Sequence, residues 1–311
     1  MTEVEGVATV RQSTSADQPI VVGVDGSEYN RSAILWAAAE AARSGADLML
    51  VTVVDDREFP SLLRSRKTAK SHARQVLETA ADMSGVSSEH TVGIRLLSGR
   101  PEQELATQFP QARLLVVGKR GLGEISRLLV GSTSLALAGR STVPVVIVPG
   151  RWEADAHDGQ PIVLGADPGR PHARLFSHAF RRAARLGVSL LAVHGWETPS
   201  ADWWPDTSEL AAEQERRSHA EFERLMEAWR DRYPDVELHL IASHDHPAVA
   251  ILDAAGAAQL VVLGRHSNSR FSDFAFGSVT RAVLHYAELP VLVVPTDNSV
   301  ARRDTTQSLK A

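Results

Sequence analysis

The sequence contains no cysteine. Disulfides, thiolate metal sites and cysteine nucleophiles are therefore excluded. It has no apolar run approaching the length of a membrane span. The opening stretch, Met1 to Gln18, is polar and lacks the apolar core of a secretion signal, so the cytoplasm is the expected compartment. There is no excess of positive charge: the net charge is −5, which gives no basic footprint for nucleic acid. What the 311 residues do carry is 43% hydrophobic and 23% charged side chains, the balance of a chain that packs ordinary cores. The length suggests two domains.

An internal repeat supports that division. Pro19-Ile20-Val21-Val22-Gly23-Val24-Asp25 reads against Pro161-Ile162-Val163-Leu164-Gly165-Ala166-Asp167, and the same spacing carries Gly45 onto Gly187. Further on, Pro101 matches Pro247, Gly118 matches Gly264, Gly131 matches Gly277 and Pro144 matches Pro290. The spacing is longer in this second block, which places an insertion around Trp203-Trp204-Pro205. A repeat of this length is a duplicated domain, not a solenoid. The expected organisation is a disordered tail over 1–18, a first domain over 19–150, a linker over 151–160, a second domain over 161–296 and a polar tail over 297–311.

Each copy alternates strand-like and helix-like segments. In the first, β-branched runs at 20–24, 48–54, 91–97, 114–117 and 145–148 alternate with helical stretches at 32–43, 62–83, 102–109 and 132–139. The alternation predicts a doubly wound α/β fold, a parallel sheet with helices on both faces, in each copy. Continuously apolar strands fit burial on both faces.

The chemistry concentrates after the fourth strand. Gly118-Lys119-Arg120-Gly121-Leu122-Gly123 leaves that strand, and nine residues separate Gly121 from Gly131-Ser132-Thr133, where a helix opens. Glycines allow positive φ and close approach of a ligand to backbone. Successive amides form an anion nest, and a helix N-terminus adds free N–H groups and positive dipole. Ser132 is also suited to capping that helix. Asp25 and Asp167 each end a first strand, with Gly23 and Gly165 two residues before them. Ligands of open α/β sheets sit beyond the carboxyl ends of strands, where strand order reverses. A carboxylate there can accept from ribose hydroxyls, or close an Asx turn.

The pattern Gly118, two residues, Gly121, nine residues, Gly131-Ser132 resembles the ATP-binding signature of the universal stress protein family. So do the opening Val22 to Ser27 and the ending Pro144 to Pro149, and the likeness spans about residues 19 to 149 and 161 to 295. The resemblance implies five-stranded parallel sheets of order 3-2-1-4-5 and ATP as ligand, with or without Mg2+. It implies Asp25 on the ribose, backbone at Val53 on the adenine, and Gly118, Arg120, Gly121, Gly131, Ser132 and Thr133 on the phosphates, with Lys119, Leu122 and Gly123 in the same loop. It also implies pairing of fifth strands, which a tandem chain can satisfy internally as a pseudo-dimer, with a further homodimer open.

The second copy departs from this pattern. Its loop reads Gly264-Arg265-His266-Ser267, then nine residues to Gly277-Ser278-Val279. If the position of Ser267 needs left-handed backbone, serine there costs about 1–2 kcal/mol. Gly195, flanked by His194 and Trp196, stands in the adenine slot, and Pro168-Gly169-Arg170-Pro171 makes a stiffer first turn. A weaker second site is expected.

Several other features compete. Gly121-Leu122-Gly123 lacks the third glycine of a dinucleotide fingerprint, and no Walker sequence occurs. His244-Asp245-His246 has the look of a metal site but reads better as a solvated turn. Trp203-Trp204 suits a partner surface or a packed core edge, and the charged run from Glu213 to Arg224 the wet face of a helix. Phosphoryl transfer needs a metal-holding carboxylate, and Glu124 is the one acid in the first loop. ATP binding with at most slow hydrolysis is therefore the expected function. A flavin or electron-transfer module and an interaction scaffold with vestigial sites stand as alternatives.

Overall fold

The computed structural model describes residues 18–55, 63–85, 91–120, 130–153, 155–196, 208–265 and 277–296. Both terminal tails, most of the two glycine-containing loops and Trp203-Trp204 lie outside these residues. The first half runs β1 (Ile20–Gly23), α1 (Arg31–Ser44), β2 (Leu48–Val54), α2 (Leu63–Ser84), β3 (Val92–Ser98), α3 (Pro101–Gln108), β4 (Leu114–Gly118), α4 (Ser132–Arg140) and β5 (Val145–Val148). The second repeats it as β6 (Ile162–Gly165), α5 (Ala173–Leu186), β7 (Leu190–Gly195), α6 (Ser208–Arg232), β8 (Leu238–Ser243), α7 (Pro247–Ala255), β9 (Leu260–Arg265), α8 (Ser278–Tyr286) and β10 (Val291–Pro295).

Local chemistry sets the boundaries. The helices α1 and α5 stop at Gly45 and Gly187, whose φ values of 67° and 65° put them in the left-handed region. Nothing lies within 4 Å of where a Cβ would stand on either, so backbone conformation alone explains these glycines. Pro101 and Pro247 begin α3 and α7, where a missing N–H costs no helical bond.

Each half has the strand order 3-2-1-4-5, and the two sheets are continuous. Together they form one ten-stranded sheet ordered β3-β2-β1-β4-β5-β10-β9-β6-β7-β8. Pairing is parallel within each half and antiparallel only between β5 and β10. Val146 stands opposite Leu292, its own counterpart in the repeat, so a pseudo-twofold axis passes between them. The strands β4, β5, β9 and β10 are buried along their whole lengths, as sheets covered on both faces require. Within the first half α1 packs on α2, and α3 on α4.

The junction of the halves is also polar. Glu40 of α1 is 1% exposed and receives Arg182 and Arg185 of α5, at 2.6 Å each for the closest contacts. The Arg182 guanidinium lies 4.9 Å from the ring centre of Trp36. Among the described residues, no helix is long and apolar enough to cross a membrane.

Candidate functional site

Strand order reverses between β1 and β4, opening a crevice at their carboxyl ends. The strand β2 outruns β1: Gly23 pairs with Val51, and the last ladder bond runs from the Val24 N–H to the Val51 carbonyl. Main-chain polar groups of a parallel strand alternate sides. Val53 therefore turns its N–H and C=O toward the β1 side, two residues past the last β1 partner. The buried Thr52 hydroxyl, at 2.9 Å, takes up the Val24 carbonyl that would otherwise have continued the ladder. An unopposed donor and acceptor on one residue suit the edge of a purine.

Asp25 is half-buried at the lip of this crevice. Its Oδ1 accepts from the Ser27 N–H at 3.0 Å and from the Ser27 hydroxyl at 2.8 Å, an Asx turn that orients the carboxylate. Among the described residues, Oδ2 has no hydrogen-bond partner. Gly26 needs its φ of 78° for this turn.

Beside it, Asn30 was not singled out from sequence. It is 3% exposed and donates through Nδ2 to the Gly23 carbonyl at 3.0 Å, while among the described residues its Oδ1 is buried without a partner. No sequence signal distinguishes it from an ordinary helix cap.

The glycine loop after β4 and the start of α4 differ from expectation. Neither Gly118 nor Gly131 has positive φ; Gly131 is extended, with φ −63° and ψ 149°. Gly118 is glycine because a Cβ would come within 2.9 Å of the Arg120 carbonyl oxygen. Gly131, not Ser132, is the N-cap of α4, and among the described residues no side chain caps that helix. Its first N–H groups are left for another acceptor. The N-terminus is tied to the crevice by the Gly131 N–H on the Lys119 carbonyl at 2.8 Å and the Ser134 hydroxyl on the Gly118 carbonyl at 2.7 Å. Ser132 is exposed and Thr133 partly so. Arg120 is half-buried, while Gly121, Leu122 and Gly123 lie outside the described residues.

The structure does not bring the Lys119 ammonium to this crevice. Its Nζ donates to the carbonyls of His285 at 2.7 Å and Ala287 at 2.9 Å, at the far end of α8 in the other half. Burial pushes its pKa down to about 8, with Arg120 adding to the fall and Glu288 opposing it. Arg265, at the same place in the repeat, donates to the Ser141 carbonyl at 2.7 Å, beyond the end of α4. Gly23 and Gly165 serve packing: a Cβ on Gly23 would press on Leu105 and Val117, and one on Gly165 would lie 2.5 Å from Leu263.

A cavity of about 280 Å3 lies between α1 and α2, lined in part by Val24, Ser27, Asn30, Val76 and Thr79. It adjoins the Asp25 turn from the α1 side and does not extend to Val53, Gly118 or Gly131.

The second half keeps the frame and changes the residues around the slot. Asp167 caps the Gly169 N–H at 3.0 Å but is exposed. Gly277 caps α8 without side-chain help, and Ser278 and Val279 follow in its first turn. The Thr280 hydroxyl repeats the Ser134 bond, meeting the Gly264 carbonyl at 3.2 Å. At Gly195, however, a Cβ would lie 2.7 Å from Pro247 Cα and 3.0 Å from the Asp245 carbonyl oxygen. The β8–α7 connection therefore packs against the face of Gly195 and leaves no room there for a side chain. His194 takes the place of Thr52, with Nδ1 on the Ala166 carbonyl at 3.2 Å and Nε2 on the Ser218 hydroxyl at 2.8 Å. Burial lowers its pKa, against the raising effect of the Ala166 carbonyl and Asp167. His266 and Ser267 lie outside the described residues.

The His244-Asp245-His246 run has structural work. His246 Nδ1 accepts from the Ala248 N–H at 3.2 Å as the N-cap of α7, and Asp245 accepts from the Ser243 hydroxyl. Among the described residues no group of three potential ligands could hold a metal.

The universal stress protein family model matches residues 18–149 and again 159–295. The chain belongs to the universal stress protein family. A universal stress protein of Mycolicibacterium smegmatis is 34% identical over 291 residues, covering 90% of this chain and 98% of the relative. One from Mycobacterium tuberculosis is 33% identical over 313 residues, covering 90% and 96%. Among solved structures, a universal stress protein of Archaeoglobus fulgidus superposes with a TM-score of 0.68 at 18% identity, covering 91% of this chain and 98% of its own, a likeness of fold. The relatives are thus universal stress proteins matched over nearly their whole length, and this is a tandem member of that stress-response family.

Proposed function

We propose that this universal stress protein is an ATP-binding regulatory protein that holds the nucleotide in the crevice of its first half, with little or no hydrolysis. The observation that carries the reading is the unopposed main chain of Val53, facing the same crevice as the open oxygen of Asp25. Adenine reads the Val53 N–H and C=O, the ribose hydroxyls meet Asp25, and the phosphates reach Gly118, Gly131 and the uncapped first turn of α4. The charge of the phosphates suits that helix end. Turnover would need a carboxylate to hold a metal or orient water, and Glu124, the one acid of that loop, lies outside the described residues. The cytoplasm is the compartment in which such a protein meets its ligand.

The second half supports a different reading. Because Asp167 is exposed and Pro247 crowds the face of Gly195, we infer a scaffold whose own site binds nucleotide more weakly than the first. Because β5 and β10 pair with each other, the pseudo-dimer uses up the fifth strands, and a homodimer would need another surface. The direct test is to denature the purified full chain and identify the released small molecules. Adenine nucleotide is expected. A yellow flavin, or nothing released together with no binding on titration, would overturn the reading.

A further inference from the structure

The helix α4 starts at the first half's phosphate end and is nine residues long, about 14 Å. A helix that short has little stability of its own, so tertiary contacts fix where it lies. Its N-terminus carries no cap. At its other end the first residue beyond the helix is Ser141, 1% exposed, and its carbonyl receives the Arg265 guanidinium at 2.7 Å. Arg265 is 6% exposed and belongs to the other half, at the end of β9. A buried cation at a helix C-terminus satisfies a carbonyl that has no helical partner and meets the negative end of the dipole. The relation is reciprocal. Lys119 leaves the first half's loop and clamps the end of α8, whose own start is Gly277-Ser278. Each half thus grips the far end of the helix whose near end forms the other half's phosphate contact.

We propose that Arg265 is a positioning residue for the first half's nucleotide site, acting through α4 from across the pseudo-twofold axis, so that the first site is complete only with the second half in place. The inference rests on the nucleotide reading above. It gives the second half a role that does not depend on its own slot. The physical link is a short rigid element gripped at one end and read at the other, bonded at its start to Gly118 and Lys119. Without the guanidinium, the buried Ser141 carbonyl loses its charged donor and the helix its axial anchor.

The test uses the full chain with the second site silenced by Asp167→Ala. Arg265→Met and Arg265→Lys are compared with that parent for affinity toward ATP and toward adenosine, which lacks phosphates, by calorimetric titration. The Met variant is expected to bind ATP about five- to tenfold more weakly, the lower range for coupling between sites, while adenosine affinity changes less than about twofold. The Lys variant is expected to keep most of the ATP affinity, since an ammonium does the same work at Lys119. Unchanged ATP affinity in the Met variant, or equal losses for ATP and adenosine, would overturn the inference. A parent that binds neither ligand overturns the nucleotide reading itself, and the inference with it. Should the Met variant not fold, Arg265→Gln takes its place. Faster amide exchange over residues 132–134 is then the expected result, and unchanged exchange the contrary one.

Discussion

Arg182 grips both carboxylate oxygens of Glu40 across the junction, at 3.0 and 2.6 Å, and the two residues occupy the same position in their respective halves. In a symmetric pair of identical domains this position would meet its own copy, setting carboxylate against carboxylate or guanidinium against guanidinium. Duplication allowed the two copies to diverge into complementary charges. Removing one partner of a buried pair strands the other, at about 3–5 kcal/mol. Glu40→Ala should therefore lower stability toward urea by that order. The double replacement Glu40→Leu with Arg182→Leu should recover much of the loss, because the desolvation penalty disappears with the charges. Equal losses in the single and double variants would contradict this account of the junction.

Acid should weaken the fold through two histidines. Burial, with Arg181, Arg174 and Arg182 adding to it, pushes His178 from 6.5 to about 4. His194 is lowered in the same direction by burial. Both are neutral in the folded chain while the unfolded chain takes up protons, so their contribution is fully present above about pH 6.5 and falls as pH drops toward 4. Urea midpoints measured across that window should decline, and His178→Gln should flatten the decline.

Lys119 predicts the opposite edge of the pH range. Its folded value of about 8 lies below the ordinary 10.5. Between those values the unfolded chain holds a proton that the folded chain has released, so this group makes stability rise with pH through the window. Below about pH 8 the cost of burying the charge is carried in full. The difference in urea midpoint between wild type and Lys119→Met should shift in favour of wild type from about pH 7.5 to about pH 9.5. No shift would mean that the ammonium is not buried as described.

The two glycines at the phosphate end should respond differently to alanine. At Gly118 the added carbon meets the Arg120 carbonyl at 2.9 Å, while at Gly131 the nearest atom is the Lys119 carbonyl oxygen at 3.5 Å with extended backbone. Gly118→Ala should cost about 1–3 kcal/mol as overpacking and should displace the loop. Gly131→Ala should cost less, about 0.5–1 kcal/mol, because alanine is a poorer N-cap than glycine. Thermal unfolding of the two variants side by side makes the comparison.

Strand and helix positions were legible because buried parallel strands read as continuous apolar runs, as at β4 and β5. The repeat marked Asp25, Gly118 and Gly131, since strand ends and helix starts carry turn chemistry, whereas Val53 followed only from the family resemblance. The destination of a long side chain was not legible. Lys119 sits in a phosphate-loop pattern, yet its ammonium crosses to α8, a contact set by how two halves pair and not by neighbouring residues. The same limit hid Glu40 and Arg182, although the charge reversal at one repeat position was there to be noticed. The repeat puts Gly195 in the adenine slot; the reason it is glycine, the approach of Pro247, is a long-range packing fact.

The most direct test of the central claim is a count of ATP bound per full chain, for wild type, Asp25→Ala and Asp167→Ala. One tight site per chain is expected, weakened about tenfold or more by loss of Asp25 and little changed by loss of Asp167. No ATP binding to wild type, or equal losses from the two substitutions, would contradict the account.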